Sequence, residues 1–331
     1  MSGSEMLAEV WRGDIVECVH RGHAAICDAT GELIESWGDP DAVAYPRSSS
    51  KMIQALPLVE SGAADRFGLT SDRLALSCAS HIGAAYHTDR VRAWIAELGL
   101  TDAAFRCGPQ MPSDPEASTA LIKTDQSPCQ YHNNCSGKHS GFLTLAKHLG
   151  AGPEYVDIDH PVQTAVRSAF EDVTGTESPL WAVDGCSAPN FATSVRAMAA
   201  GMATFAAAGA AAGHRDAAMV RLREAMMTHP ELVSGNDKAC TDLMRACKGQ
   251  AAIKGGAEGY YVAILPGLKL GVALKVEDGA KRGSELAITA ILARLGVLDP
   301  NHPAARKYLN APIRNWRGIE TGMVRPGPGL R

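Results

Sequence analysis

Short apolar runs broken by turn residues open the chain. Leu7 to Trp11, Ile15 to His20, His23 to Cys27 and Leu33 to Trp37 have strand length, and Arg12-Gly13-Asp14, Arg21-Gly22 and Thr30-Gly31 punctuate them. The pattern predicts an antiparallel meander over roughly the first forty residues. From about residue 50 to 250 the period lengthens and helices are expected. One is opened by Thr88-Asp89 and stopped by Gly99; another covers 141–148 and stops at Gly150. A third covers 162–170 after Pro161, and two more cover 190–205 and 215–227. Strand character returns at Tyr260 to Leu265 and Leu270 to Lys275, a hairpin around Pro266-Gly267, before a helix from Ser284 to Arg294 that stops at Gly296. Strand-rich ends around a helical middle predict an α+β fold, with one antiparallel sheet built from both chain ends and packed with the helices. No compositional break marks a linker. Residues 1–331 therefore read as a single catalytic-size unit, with 1–45 and 257–331 sheet-rich and 46–256 mainly helical.

Composition narrows the class. With 331 residues, 46% hydrophobic and 21% charged, the chain can bury a large core without staples. A net charge of -4 leaves no basic excess, so neither nucleic acid nor an anionic membrane is an expected partner. The longest apolar stretch, Ala197 to Gly213, is mostly Ala and Gly and lacks the Leu, Ile and Val density of a membrane span. The first residues carry no basic head followed by an apolar run, so no secretory signal is read there. Nine scattered cysteines then read as thiols of a reducing compartment, and a cytoplasmic location is expected.

Four places carry residues suited to chemistry. Ser48 and Lys51 are three apart in Arg47-Ser48-Ser49-Ser50-Lys51, so a helix starting there puts both on one face. A serine hydroxyl needs a base, and a lysine can serve if burial depresses its pKa. Lys254 stands before two glycines and a late strand, in Lys254-Gly255-Gly256-Ala257-Glu258-Gly259. A Ser-x-x-Lys followed much later by Lys-Gly-Gly is ordered as in serine β-lactamases and penicillin-binding proteins. The third place is His132-Asn133-Asn134-Cys135-Ser136-Gly137-Lys138-His139, with a further thiol in Asp184-Gly185-Cys186. Thiolates and imidazoles suit zinc, with Asp184 behind them, but the spacing is not that of a zinc finger, and from spacing alone an Asn/Gly loop capping a helix, with cysteines buried as small apolar residues, is the favoured reading. The fourth is Ser80-His81, a small polar island after Leu74-Ala75-Leu76.

Taken together, PRSSSKMIQALP, CASH, HNNCSGKHSGFL, VDGCSAPNF, HPELVSG, GGAEGYYVA and ALKVEDG resemble the rhizobial-type L-asparaginases, the asparaginase II family. The resemblance runs in order from about residue 7 to 320. It implies a serine β-lactamase-like fold and hydrolysis of L-asparagine to L-aspartate and ammonia. By motif it makes Ser48 the nucleophile and Lys51 its base, with Ser80 and Lys254 as a second Ser-Lys pair. It also implies zinc on Cys135, Lys138 and Cys186, where residue chemistry alone would favour His132 or His139. The chain departs from the family pattern at Ile82, at Ala84-Ala85 and at Gly255. A homodimer is expected from the resemblance and from how commonly soluble enzymes form one. Two other functions compete: a zinc-hydroxide amidohydrolase, and a non-catalytic small-molecule-binding relative.

Overall fold

A computed structural model describes residues 3–331. The main sheet has eight strands: β1 (Glu5–Arg12), β2 (Ile15–Asp28), β3 (Leu33–Trp37), β4 (Ala252–Gly255), β5 (Tyr260–Leu265), β6 (Leu270–Val276), β7 (Ala311–Arg314) and β8 (Glu320–Pro326). Their order is β7-β8-β1-β2-β6-β5-β4, with β3 also paired to β2, and every pairing is antiparallel. This is the α+β arrangement expected, one sheet drawn from both chain ends. The C-terminal hairpin of β7 and β8 was not legible as a hydrophobic pattern, because Pro312, Gly322 and charged residues interrupt it.

Arg21-Gly22 is not a turn. β2 runs unbroken through it, with Gly22 paired to Glu5 on one side and Val276 on the other. A Cβ on Gly22 would lie 2.1 Å from the Lys275 carbonyl oxygen, so the glycine marks a close strand approach rather than a reversal.

Helices cover both faces of the sheet. Five matter here: α1 (Lys51–Gln54), α2 (Ser71–Ser77), α3 (Ser136–Leu149), α4 (Val195–Ala207) and α5 (Lys281–Arg294). On one face Cys27 donates to the Arg196 carbonyl, and Gly271 lies directly under Ala199 and Ala203 of α4. On the other, Ala8, Val10 and Val324 pack on Leu286 of α5. Each cover buries an apolar stripe that the sheet alone would expose.

Several expected helices move their ends. That opened by Thr88 begins at Ala85, and the one predicted from Gly141 begins at Ser136. Residues 189–191 are a short strand paired with 181–183, and the helix after them waits until Val195, capped by the Ser194 hydroxyl. Gly150 ends α3 in a left-handed conformation, as read from the chain. The Ala-rich stretch is α4 followed by a turn. Among the described residues no helix is long and apolar enough to cross a membrane.

Candidate active site

The Ser48 segment leads from a tight helical turn, Arg47–Ser50, into α1. Ser49 and Ser50 are buried, and their hydroxyls do structural work. Ser50 donates to the Arg47 carbonyl, and Ser49 donates to the carbonyls of Lys254 and Tyr260. The serine turn is thereby pinned to β4 and β5. The glycines after Lys254 permit that contact: a Cβ on Gly256 would lie 2.6 Å from the Pro46 carbonyl oxygen, and one on Gly255 would strike the Tyr261 ring. Gly255, one departure from the family pattern, thus stands where the ring leaves no room.

Ser80 arrives by another route. It follows α2, and its backbone N–H donates to Val233 while that of His81 donates to Asn134. Both buried lysines converge on its hydroxyl. Lys51 Nζ lies 3.0 Å from Ser80 Oγ and also donates to the Ala79 carbonyl. Lys254 Nζ lies 3.0 Å from the same oxygen and 2.6 Å from the Gly255 carbonyl. Burial lowers the pKa of Lys254 to about 8, helped by the charge of Lys51. Ser48 is half-buried and faces a cleft of about 400 Å³ that Ser80 and Lys254 also line. Of the four residues singled out as two Ser-Lys pairs, Ser80 is bonded to both lysines, and Ser48 lines the same cleft as Ser80 and Lys254. The lysine bonds, however, both end on Ser80 rather than dividing one to each serine.

The thiols sit directly behind. Cys135 precedes α3, and Lys138 lies in its first turn. Cys186 is delivered by the short ribbon of residues 181–183 and 189–191. Lys138 Nζ donates to Cys186 Sγ at 2.9 Å, and Lys51 Nζ to Cys135 Sγ at 3.1 Å. A hydrogen bond from Cys135 and the Lys138 charge outweigh burial and pull the Cys186 pKa well below the usual thiol value. Cys135 is pushed the other way, by that same bond and by burial. Burial lowers the Lys138 pKa, but Cys186, Cys135 and Asp184 outweigh it and the amine stays charged. One network thus runs Lys138, Cys186, Cys135, Lys51, Ser80, Lys254.

Two thiols and a buried amine within hydrogen-bond reach form a donor set that suits zinc, provided the Lys138 ammonium gives up its proton as the metal binds. Among the described residues no group of three His, Cys, Asp or Glu side chains is arranged for a metal; the third donor here is the amine. The imidazoles have other partners. His139 Nδ1 pairs with the Tyr155 hydroxyl at 2.9 Å, and His132 Nδ1 accepts from the Cys129 backbone. Asp184 lies close to Lys138 but gives its carboxylate to Arg47.

His81 is structural. Its Nδ1 accepts from the Gly83 N–H, which leaves Nε2–H to donate to Ser136, and burial keeps the ring neutral. Ile82 is buried at the cleft wall; a Cβ on Gly235 would meet its side chain at 2.7 Å. Ala84 and Ala85 are where the helix of residues 85–97 begins. Arg47 was not singled out from sequence, although it lies in the same run as Ser48. Cys240 and Glu285 also line the cleft, and no local pattern flagged either.

The model of the family described as L-asparaginase II matches residues 8–326. No curated protein matches the chain in sequence. Among solved structures, one titled as Mglu is 16% identical, covers 84% of this chain and 67% of its own, and has a TM-score of 0.48. A β-lactamase from Mycobacterium bovis is 13% identical, with 82% and 94% covered and a TM-score of 0.44. A putative β-lactamase from Bacteroides dorei is 10% identical, with 82% and 93% covered and a TM-score of 0.45.

Proposed function

Because the chain belongs to the L-asparaginase II family and is an amidohydrolase of that kind, an L-asparaginase, we propose that it hydrolyses L-asparagine through a serine ester, with Ser48 as nucleophile. The observation that carries this reading is the convergence of Lys51 and Lys254 on Ser80, beside a cleft onto which Ser48 opens. A hydroxyl has two lone pairs and one proton. When both lysine amines donate an N–H to Ser80 its lone pairs are occupied, which makes it a poor nucleophile and a good proton donor. Ser48 keeps its lone pairs.

In this reading Ser48 Oγ attacks the side-chain amide carbon and its proton passes to neutral Lys51. The C–N bond then breaks, and the leaving nitrogen takes a proton through Ser80, departing as ammonia. Water cleaves the resulting ester and releases L-aspartate. A second reading has Ser80 attack with Lys254 as base; the lowered Lys254 pKa and the 3.0 Å contact favour it. Purified protein should release one ammonia per L-asparagine consumed. No ammonia from asparagine, glutamine or a panel of simple amides would sink both readings and leave a binding role.

Cys135, Lys138 and Cys186 are the proposed zinc ligands, and bound there zinc would supply a positive site that orients a substrate carbonyl or carboxylate. Ser48 and Lys51 already supply nucleophile and base, so chelation or Cys135→Ala should raise KM while leaving a measurable kcat. Zinc should also protect both thiols from iodoacetamide. Equal labelling with and without zinc would remove the metal from the proposal, and a kcat that collapses with chelation while Ser48→Ala survives would favour zinc hydroxide instead. We further propose a cytoplasmic homodimer. Ile15, Trp316 and Ile319 give the hairpin ends exposed apolar surface that a second copy could cover, and a monomer mass in solution would overturn it.

A further inference from the structure

Arg47 has a backbone that its side-chain type does not favour. Its φ is 53°, in the left-handed region that a residue with a Cβ enters at a cost and glycine enters freely. It stands immediately before Ser48, so this bend sets where the Ser48 hydroxyl points. The turn is locked in that shape by Ser49 N–H to Pro46, Ser50 Oγ to the Arg47 carbonyl, and Lys51 N–H to the Ser48 carbonyl. An arginine thus stands at a glycine-like position, and its side chain is engaged.

That side chain reaches across to the thiol loop. Nε and one terminal nitrogen lie 2.8 and 2.7 Å from the same oxygen of Asp184, whose side chain is only 12% exposed. The acceptor is itself rigid. The same oxygen takes the Gly185 N–H, and the Asp184 backbone bonds Ala188 and Ser187 in the turn that presents Cys186. On its other side the guanidinium lies 4.0 Å from Glu258, in the loop that follows Lys254. A further tie lies behind: residues 43–44 pair with 193–194, which brings the approach to Ser48 alongside the ribbon that carries Cys186. Arg47 therefore stands where three segments meet, those bearing Ser48 with Lys51, Cys186, and Lys254.

We propose that Arg47 is a positioning residue whose pair with Asp184 holds the Ser48 hydroxyl in register with the two lysines and ties the serine turn to the Cys186 loop. The pair is half-shielded from water and joined by two guanidinium N–H groups on one oxygen, so it is firmer than a surface ion pair. The inference rests on the serine reading above, and it assigns no group to the reacting atoms.

Arg47→Gly separates the side chain from the backbone. Glycine accepts φ 53°, so a residue that merely stabilises the fold and one that aims Ser48 predict different results. Arg47→Gly should keep its melting temperature within a few degrees while kcat falls roughly ten- to a hundredfold and KM changes little, since an ångström of misplacement costs that much. Iodoacetamide should label Cys186 faster in Arg47→Gly than in wild type. Arg47→Lys, which can still meet Asp184 through one nitrogen, should recover part of kcat and restore slow labelling. Asp184→Asn should lose kcat to a similar extent, and the double variant should be no worse than the poorer single. A kcat for Arg47→Gly within about twofold of wild type, or additive losses in the double variant, would overturn the proposal. If Arg47→Gly fails to fold, Asp184→Asn decides: folded with wild-type kcat and labelling overturns it, folded with both altered supports it. Should the wild type release no ammonia, the serine reading fails, and Cys186 labelling still tests whether Arg47 ties the loops.

Discussion

Ser48→Ala should lose roughly 10⁴-fold or more in kcat with the fold intact, because it removes the proposed nucleophile and leaves only Ser80, whose lone pairs are taken by the two lysines. Ser48 is half-buried at the cleft and outside the packed core, so removing its oxygen opens no cavity of consequence. Lys51→Met should cost a similar factor. Lys51 is fully buried among Ala79, Ser80 and Cys135, and methionine keeps the length but carries no proton. The two act as one unit, so the double variant should be little worse than either single. Near-wild-type turnover in Ser48→Ala would transfer the nucleophile to Ser80. Mass spectrometry of the enzyme quenched with substrate would then find the aspartyl adduct on the peptide carrying residue 80.

Lys254→Met should be close to inactive and yet more stable at neutral pH. Lys254 is 1% exposed, and its folded pKa is about 8 against an ordinary 10.5. Below pH 8 the lysine is charged in both states, and the folded protein bears the full cost of burying that charge. Between pH 8 and 10.5 the unfolded chain binds more protons, so stability rises with pH and the cost disappears. At about 1.4 kcal/mol per unit the ceiling is about 3 kcal/mol at pH 7, reduced by the lost bonds to Ser80 and Gly255. A gain of about 1–2 kcal/mol at pH 7 that fades by pH 10 is therefore expected in denaturant unfolding. A loss of stability at pH 7 would contradict this account of Lys254.

The same group shapes the pH profile. In the proposed mechanism a neutral Lys254 would take up a proton through Ser80 and so let Lys51 serve as the base. The kcat/KM of the wild type should therefore rise through an inflection near pH 8, and Lys254→Met should lack it. A rate that falls between pH 7 and pH 9 with the protein still folded would reverse the assigned direction of proton flow.

How much of this was legible in the chain depended on distance along it. The Tyr260 to Val276 hairpin, the stop at Gly150 and the strand character of both ends were readable, because periodicity and turn chemistry act over a few residues. Arg21-Gly22 was misread as a turn because a glycine at a close strand approach looks locally like one at a reversal. The helix expected from Asn190 was displaced because Pro189 to Phe191 pair with Trp181 to Val183 in a short ribbon, which the run of apolar residues did not separate from a helix start. Ser48, Lys51, Ser80, Lys254, Cys135, Lys138 and Cys186 were singled out by residue type, motif order and resemblance, and the fold brings all seven into one network and its cleft.

Sequence by itself determined the residue types, the short-range elements and the family, since these depend on side-chain chemistry and on neighbours a few positions apart. Only the tertiary structure decided who bonds whom. Ser80 rather than Ser48 receives both lysines because the chain after α2 and the edge strand β4 meet there, although residues 80 and 254 lie far apart in sequence. His132 and His139 were the obvious zinc donors by type, yet packing turns one to Cys129 and the other to Tyr155, while the Lys138 amine lands on Cys186. Arg47 meets Asp184 for the same reason. Hydrogen bonds and ion pairs act over about 3 Å, and which groups come that close is settled by how the sheet and helices bury their apolar faces.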